Sequence, residues 1–194
     1  MKDPDMARAI FNQITTKLSI ASCVLTVAAC LSFTLPSDVK AADMQGVRTS
    51  AKAMLIDTNG KKIGTVTLKQ VGQDLALKFK AKSIASGWHG VHLHNIGSCT
   101  APDFKDAGGH WNPFGQHHGQ PGTEAAHRGD LPMIWANAEN RLDAKLTLKG
   151  YEISGTHGLL DTDGAAIVIH AGQDDYQSDP AGNSGARIAC GIIH

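Results

Sequence analysis

From residue 42 onward, apolar and polar positions alternate in short runs. Their period of two puts successive side chains on opposite faces of a strand. Leu75, Leu77, Phe79 and Ala81 alternate with Ala76, Lys78 and Lys80, and Leu142, Ala144, Leu146 and Leu148 repeat the pattern nearer the C-terminus. Val47 to Ile56 runs into Asp57-Thr58-Asn59-Gly60, whose Asn-Gly pair signals a turn between two strands. Lys61 to Val71 follows, then Gly72-Gln73-Asp74, and Asp161-Thr162-Asp163-Gly164 marks another turn before the apolar run Ala165 to Ile169. No stretch after residue 42 sustains a helical period. Short strands broken by regular turn signals predict an all-β fold, a Greek-key β-barrel or sandwich.

Two stretches break the strand pattern. Asn95 to Asp130 is dense in Gly, Pro and His, and Ala171 to Ala186 is dense in Gly, Asp and Ser. Loops this long in a compact domain are functional or disordered, and the histidines favour function. The N-terminus differs again. Leu18 to Leu35 is apolar, is preceded by Lys2, Arg8 and Lys17, and leads into Pro36-Ser37-Asp38-Val39-Lys40-Ala41. This order is that of a secretory signal peptide spanning 1–41, with the folded domain at 42–194. Two other readings stay open: an uncleaved anchor of near-spanning length, or a lipoprotein leader ending at 29, with Val27-Ala28-Ala29-Cys30 as its cleavage box and an acyl anchor on Cys30.

Composition narrows the function. Lys+Arg and Asp+Glu are both 18, so charge gives no reason to expect a nucleic-acid partner. Of the four cysteines, Cys23 and Cys30 fall in the leader, leaving Cys99 and Cys190 in the domain with one intrachain pairing open to them. A disulfide presupposes an oxidising compartment. Most of the ten histidines crowd between His89 and His127. His92 and His94, two apart on a strand, point to one face. His110 follows Gly108-Gly109, His118 comes next, His127 stands three residues before Asp130, and His170 ends an apolar strand. Imidazole suits copper and zinc, and a carboxylate among histidines suits tetrahedral zinc. These seven residues fall one short of the eight donors that two four-coordinate ions require, unless one histidine gives a nitrogen to each. Spacing says neither which histidine that is nor that two ions bind. A single structural zinc with spare histidines also fits.

Gly90-Val91-His92-Leu93-His94, Gly109-His110-Trp111-Asn112-Pro113, His127-Arg128-Gly129-Asp130 and Gly185-Ala186-Arg187-Ile188-Ala189-Cys190-Gly191 occur in that order. Together they resemble the copper/zinc superoxide dismutase family, its exported bacterial branch above all, over roughly Val47 to Ile193. The resemblance implies one copper on His92, His94, His110 and His170, and one zinc on His110, His118, His127 and Asp130, with His110 bridging the two. It implies that Asp174 supports one ligand of each metal, with Asp175 the alternative. It also implies a Cys99–Cys190 disulfide, an anion-guiding Arg187 beside the copper, and metal-binding and electrostatic roles for the two long loops. Superoxide is then the substrate, dioxygen and hydrogen peroxide the products, and the periplasm the location. A monomer and a homodimer are both open. His117 is expected to be exposed, and His89, His157 and His194 to be structural. The competing readings are a non-enzymatic copper-binding module of the same fold, a single-zinc hydrolase and a structural export domain. None of them uses Arg187 and the full ligand set together.

Overall fold

The computed structural model describes residues 48–194. The leader expected at 1–41, with Cys30, lies outside the described residues. The strands are β1 Ser50–Asp57, β2 Lys62–Val71, β3 Asp74–Lys82, β4 Gly87–His89, β5 Val91–His94, β6 Ile134–Ala136, β7 Arg141–Lys149, β8 Ala165–His170 and β9 Arg187–Ile193. A single 3₁₀ turn covers Lys105–Ala107, and the described residues hold no α-helix.

All the pairings are antiparallel, in the order β4-β6-β7-β3-β2-β1-β9-β8-β5. The two ends of that order, β4 and β5, are consecutive in the chain with only Gly90 between them. One segment therefore pairs with β6 along its first half and with β8 along its second. This curls the sheet into a nearly closed barrel whose two ends meet at that segment. β3 pairs with β7 rather than with β4, the long-range crossing that makes the topology a Greek key. The fold class is the expected one.

Alternation decides which face each strand buries. Leu75, Leu77 and Phe79 of β3 lie inside, while Lys78 and Lys80 stand outside. Phe79 lies opposite Val66 of β2 and Ala144 of β7. Each large apolar side chain buried this way contributes roughly 1.5–3 kcal/mol. The β1–β2 turn closes through the Gly60 N–H on the Asp57 carbonyl at 2.8 Å. The Asp57 carboxylate also accepts the N–H groups of Asn59 and Lys61, each at 2.9 Å.

β8 is buried along its whole length, as its continuous apolar run suggests. Ala165, Ile167 and Ile169 face the main core, whereas Ala166 and Val168 face outward into a smaller cluster with Phe104, Ala107 and Cys190. β5 follows the same rule: Val91 and Leu93 point in, so His92 and His94 point out. His92 sits opposite Val168 and His94 opposite Ala166. The outer face of β5 and β8 is thus roofed by loops, and the histidines lie under that roof. A third long loop, 150–164, was not anticipated; it sends Tyr151, Ile153 and Leu159 into the main core.

Candidate metal centre

His92 and His94 ride on β5, and His170 ends β8. The loop after β5 then folds back along β5. The Trp111 N–H donates to the Leu93 carbonyl at 2.8 Å, the Gly129 N–H to the Trp111 carbonyl at 2.7 Å, and the Leu93 N–H to the Gly129 carbonyl at 2.9 Å. These bonds set His110 beside His94 and Asp130 beside His92. Three backbones meet at Gly129, where a Cβ would overlap the Leu93 carbonyl and lie 2.7 Å from the Trp111 nitrogen. Only glycine fits there, which explains its place one residue before Asp130.

His92, His94, His110 and His170 bring one donor atom each to within 4.8 Å of one another. His92 Nδ1, His94 Nε2, His110 Nε2 and His170 Nε2 are buried without a protein partner. The opposite nitrogens of three of these rings fix their tautomers. His94 Nδ1–H donates to the Gly108 carbonyl and His170 Nδ1–H to the Gly185 carbonyl, both at 3.0 Å, and His92 Nε2–H donates to Asp174 Oδ2 at 2.6 Å. Each unpartnered nitrogen then presents a lone pair. A buried polar atom left unpaired costs about 1–3 kcal/mol, and a cation shared by these lone pairs would remove that cost.

The second cluster forms around one oxygen. His110 Nδ1, His118 Nδ1 and His127 Nδ1 lie 2.8, 3.0 and 3.2 Å from Asp130 Oδ1. Donors about 2.0–2.1 Å from a tetrahedral zinc stand roughly 3.3 Å apart, so the set has close to the right size. Asp130 Oδ2 turns away and accepts the N–H groups of Gly119 and His127 at 3.0 and 3.1 Å. The donor atoms of His92, His110, His118 and Asp130 fall within 4.8 Å of one another, while His127 joins from the rim through Asp130. His110 belongs to both clusters, and its ring stacks on His92 with centroids 3.9 Å apart.

Burial sets the protonation states. It pushes the His92 pKa down to about 3 and that of His170 to about 4, takes His94 well below its usual range, and lowers His110. These rings are neutral at pH 7, the form that binds metal. Burial alone would raise Asp130 and Asp174. Hydrogen bonds from His110 and the Gly119 N–H to Asp130, and from His92, the Tyr176 N–H and His118 to Asp174, outweigh it and keep both below the usual carboxylate range.

Asp174, not Asp175, hydrogen-bonds the clustered rings, although an Asp175 oxygen comes within 4.8 Å of donor atoms of His118 and Asp174. Besides His92, Asp174 accepts His118 Nε2–H at 2.9 Å and the Tyr176 N–H at 2.7 Å, so a single buried carboxylate ties one ring of each set. Asp175 is exposed and bonds within its own loop, to Gln177, Ser178 and Asn183. Gly182, with φ of 58°, packs where a Cβ would collide with the Asp174 carboxylate.

Arg187 opens β9. Its Nη1–H donates to the Phe104 carbonyl at 2.6 Å and its Nη2–H to the Gly108 carbonyl at 2.8 Å, the same carbonyl that orients His94. With His110, His170, Lys105, Pro180 and Ala181 it lines a cavity of about 600 Å³. Burial lowers its pKa, but a guanidinium keeps its proton. Cys99 and Cys190 form a disulfide with Cα atoms 5.7 Å apart, pinning the loop under Arg187 to β9. Lys105, exposed and 3.0 Å from Asp103, is a cation at this cavity that motif reading did not single out.

Comparison with known proteins agrees with this layout. The copper/zinc superoxide dismutase (SODC) family profile matches residues 62–193. The chain belongs to the copper/zinc superoxide dismutase family. It is 40% identical over 150 residues to the "Superoxide dismutase [Cu-Zn]" of Caulobacter vibrioides, covering 74% of this chain and 85% of that one. It is 41% identical over 149 residues to "Superoxide dismutase [Cu-Zn] 2" of Aquifex aeolicus, with the same coverage. The crystal structure of a SOD-like protein from Bacillus subtilis superposes with a TM-score of 0.69 at 32% identity, covering 77% of this chain and 100% of that chain.

The remaining histidines of this family member fall outside both clusters. His89 is buried, with its ring nitrogens 2.7 and 2.8 Å from the His170 and Ala85 carbonyls, and it braces β4 against the end of β8. His117 is exposed, as expected, and faces Asp179. His157 is exposed beside Phe114, and His194 is exposed at the C-terminus; neither carries a core role.

Proposed function

We propose that this chain disposes of superoxide at a copper held by His92, His94, His110 and His170. Zinc is held by His110, His118, His127 and Asp130, with His110 common to both. Family membership supports the activity and the two metals. The single observation that carries the copper-ligand assignment is the set of four buried imidazole nitrogens with no protein partner. Copper supplies the one-electron exchange by which two superoxide ions and two protons become dioxygen and hydrogen peroxide, while zinc is redox-silent.

The chain supplies the rest. Arg187 draws the small anion into the cavity and holds it beside His110 and His170, and Lys105 adds positive charge at the same cavity. His110 Nε2, the buried ring nitrogen facing His92, His94 and His170, can hold a proton for the peroxide product only when its lone pair is not given to the metal. His110 Nδ1 stays directed at Asp130. Asp174 holds His92 and His118 in their ligating tautomers. The disulfide suits an oxidising compartment. We therefore place the enzyme in the periplasm, where it would protect the cell envelope.

The test is metal content and superoxide removal by the purified protein, beside His110→Ala. The parent should carry copper and zinc in equal amounts and remove superoxide. The variant should lose more than the roughly 10–100-fold typical of a supporting residue. A parent that takes up no copper would overturn the reading.

A further inference from the structure

Resting on the zinc assignment to His118, we propose that Asp179 is a positioning residue that locks the channel wall to the zinc loop. The loop 171–186 is internally stiff. The Asp175 carboxylate accepts the N–H groups of Gln177 and Ser178 at 2.9 and 2.8 Å and the Asn183 amide at 2.9 Å. The Gly182 N–H donates to the Ser178 carbonyl at 2.7 Å, the Asp175 N–H to the Gly182 carbonyl at 2.9 Å, and the Gly172 N–H to the Ser184 carbonyl at 2.9 Å. A body of this kind moves as a unit, so its place is set by the points where it is fastened.

Two carboxylates from this loop hydrogen-bond to His118 of the zinc half. Asp174 does so in the buried interior. Asp179 does so at the surface, where its Oδ1 accepts the backbone N–H of His118 at 2.7 Å and its Oδ2 faces His117 Nδ1 at 3.1 Å. His118 is thus held at its backbone by Asp179 and at Nε2 by Asp174, which leaves Nδ1 turned toward Asp130. The next two residues, Pro180 and Ala181, are walls of the cavity that holds Arg187 and His170. One side chain therefore joins the residue presenting a zinc donor to the wall past which the substrate moves. The His118 backbone bond is the working contact, because a charge-assisted bond to one N–H fixes where the ring begins. The exposed His117 contact is incidental: its side chain is 88% exposed, where solvent screens the pairing.

The experiment compares Asp179→Ala and Asp179→Asn with the parent in the full chain loaded with both metals. Zinc release to a chromogenic chelator is the first readout, and hydrogen exchange of the His118 amide, with and without metal, is the second. Asp179→Ala should release zinc about tenfold faster, the size of one lost charge-assisted hydrogen bond, with copper content unchanged. It should also speed exchange of the His118 amide in the metal-free protein. Asp179→Asn, whose Oδ1 still accepts that N–H but without the charge, should show about half of that effect, about threefold. The proposal is overturned if Asp179→Ala matches the parent in both readouts, or if Asp179→Asn falls with Asp179→Ala. A parent that binds no zinc at His118 would instead sink the ligand assignment, and amide exchange in metal-free protein tells the two failures apart.

Discussion

His92, His94 and His170 project from strands whose register the sheet fixes, with His92 opposite Val168 and His94 opposite Ala166. His110, His118, His127 and Asp130 hang instead on the loop between β5 and β6, which has no strand ladder of its own. The strand-borne rings need only one outside hydrogen bond each to choose a tautomer. The loop-borne set borrows its geometry from elsewhere: from Asp130 at its centre, from the tight contact at Gly129, from Asp174 across the other loop, and from the disulfide beneath it. A rigid platform and a supported loop thus share one histidine. Loss of a supporting contact should reach the loop side first.

The strongest way to break this comparison is to cut the support. Cys99 and Cys190 close a separation of 91 residues, for which chain entropy suggests about 4–5 kcal/mol. Replacing both with Ser should lower the unfolding free energy of the metal-free protein by that order in denaturant titration. Zinc should then dissociate before copper; simultaneous loss would show that the two halves are not separately held.

Acid should strike the strand side. The His92 and His170 pKa values, about 3 and about 4, lie below the unfolded value of 6.5, so the unfolded chain binds more protons throughout the interval. Stability is then full above about pH 6.5 and falls as pH drops toward 4. Each group contributes up to about 1.4 kcal/mol per pH unit. His92 and His170 alone should account for about 2–3 kcal/mol lost between pH 6 and 5, read from denaturant titrations of metal-free protein at pH 7, 6 and 5. A flat profile would mean that these rings are not held neutral by burial.

A smaller effect sharpens the division. Asp174→Ala removes the one carboxylate that touches a ring of each kind. It should weaken metal binding about 10–100-fold, zinc more than copper, because His92 keeps its strand while His118 loses a support. Competition titration with a chelator for each metal checks this, and equal weakening would argue against the distinction. Smallest is Arg187→Ala, which should lower superoxide removal about tenfold and flatten its dependence on ionic strength while leaving both metals bound. An unaltered salt slope would take Arg187 out of the steering role.

Much of the barrel could be read from local pattern. The alternation of Leu75, Leu77 and Phe79 located β3 because a strand with one wet face must show it, and the Asn-Gly pair located the first hairpin. The three-residue strands β4 and β6 escaped notice, since so few residues display no period. Loop 150–164 escaped for another reason: Tyr151, Ile153 and Leu159 reach the core without belonging to any regular element. In the centre, the histidines and Asp130 that the motifs pointed to are the residues whose donor atoms come together, with His127 at the rim. Motif order did not point to Gly182 or Asp179, whose contacts cross between loops distant in the chain, nor to Lys105, an exposed lysine paired with nearby Asp103 whose place at the cavity wall is set by the fold.

Residue identity and spacing alone determined the all-β class, the two long loops and the crowding of candidate donors, because period-two patterning and rare residue types are local properties; the division of those donors between two ions came from the family resemblance. Only the tertiary structure decided that the histidines stand on the outside of the barrel, that Asp174 rather than its neighbour spans both clusters, and that one carbonyl, that of Gly108, serves both His94 and Arg187. Those outcomes depend on where separate segments come to rest, and sheet closure together with the disulfide brings those segments into contact.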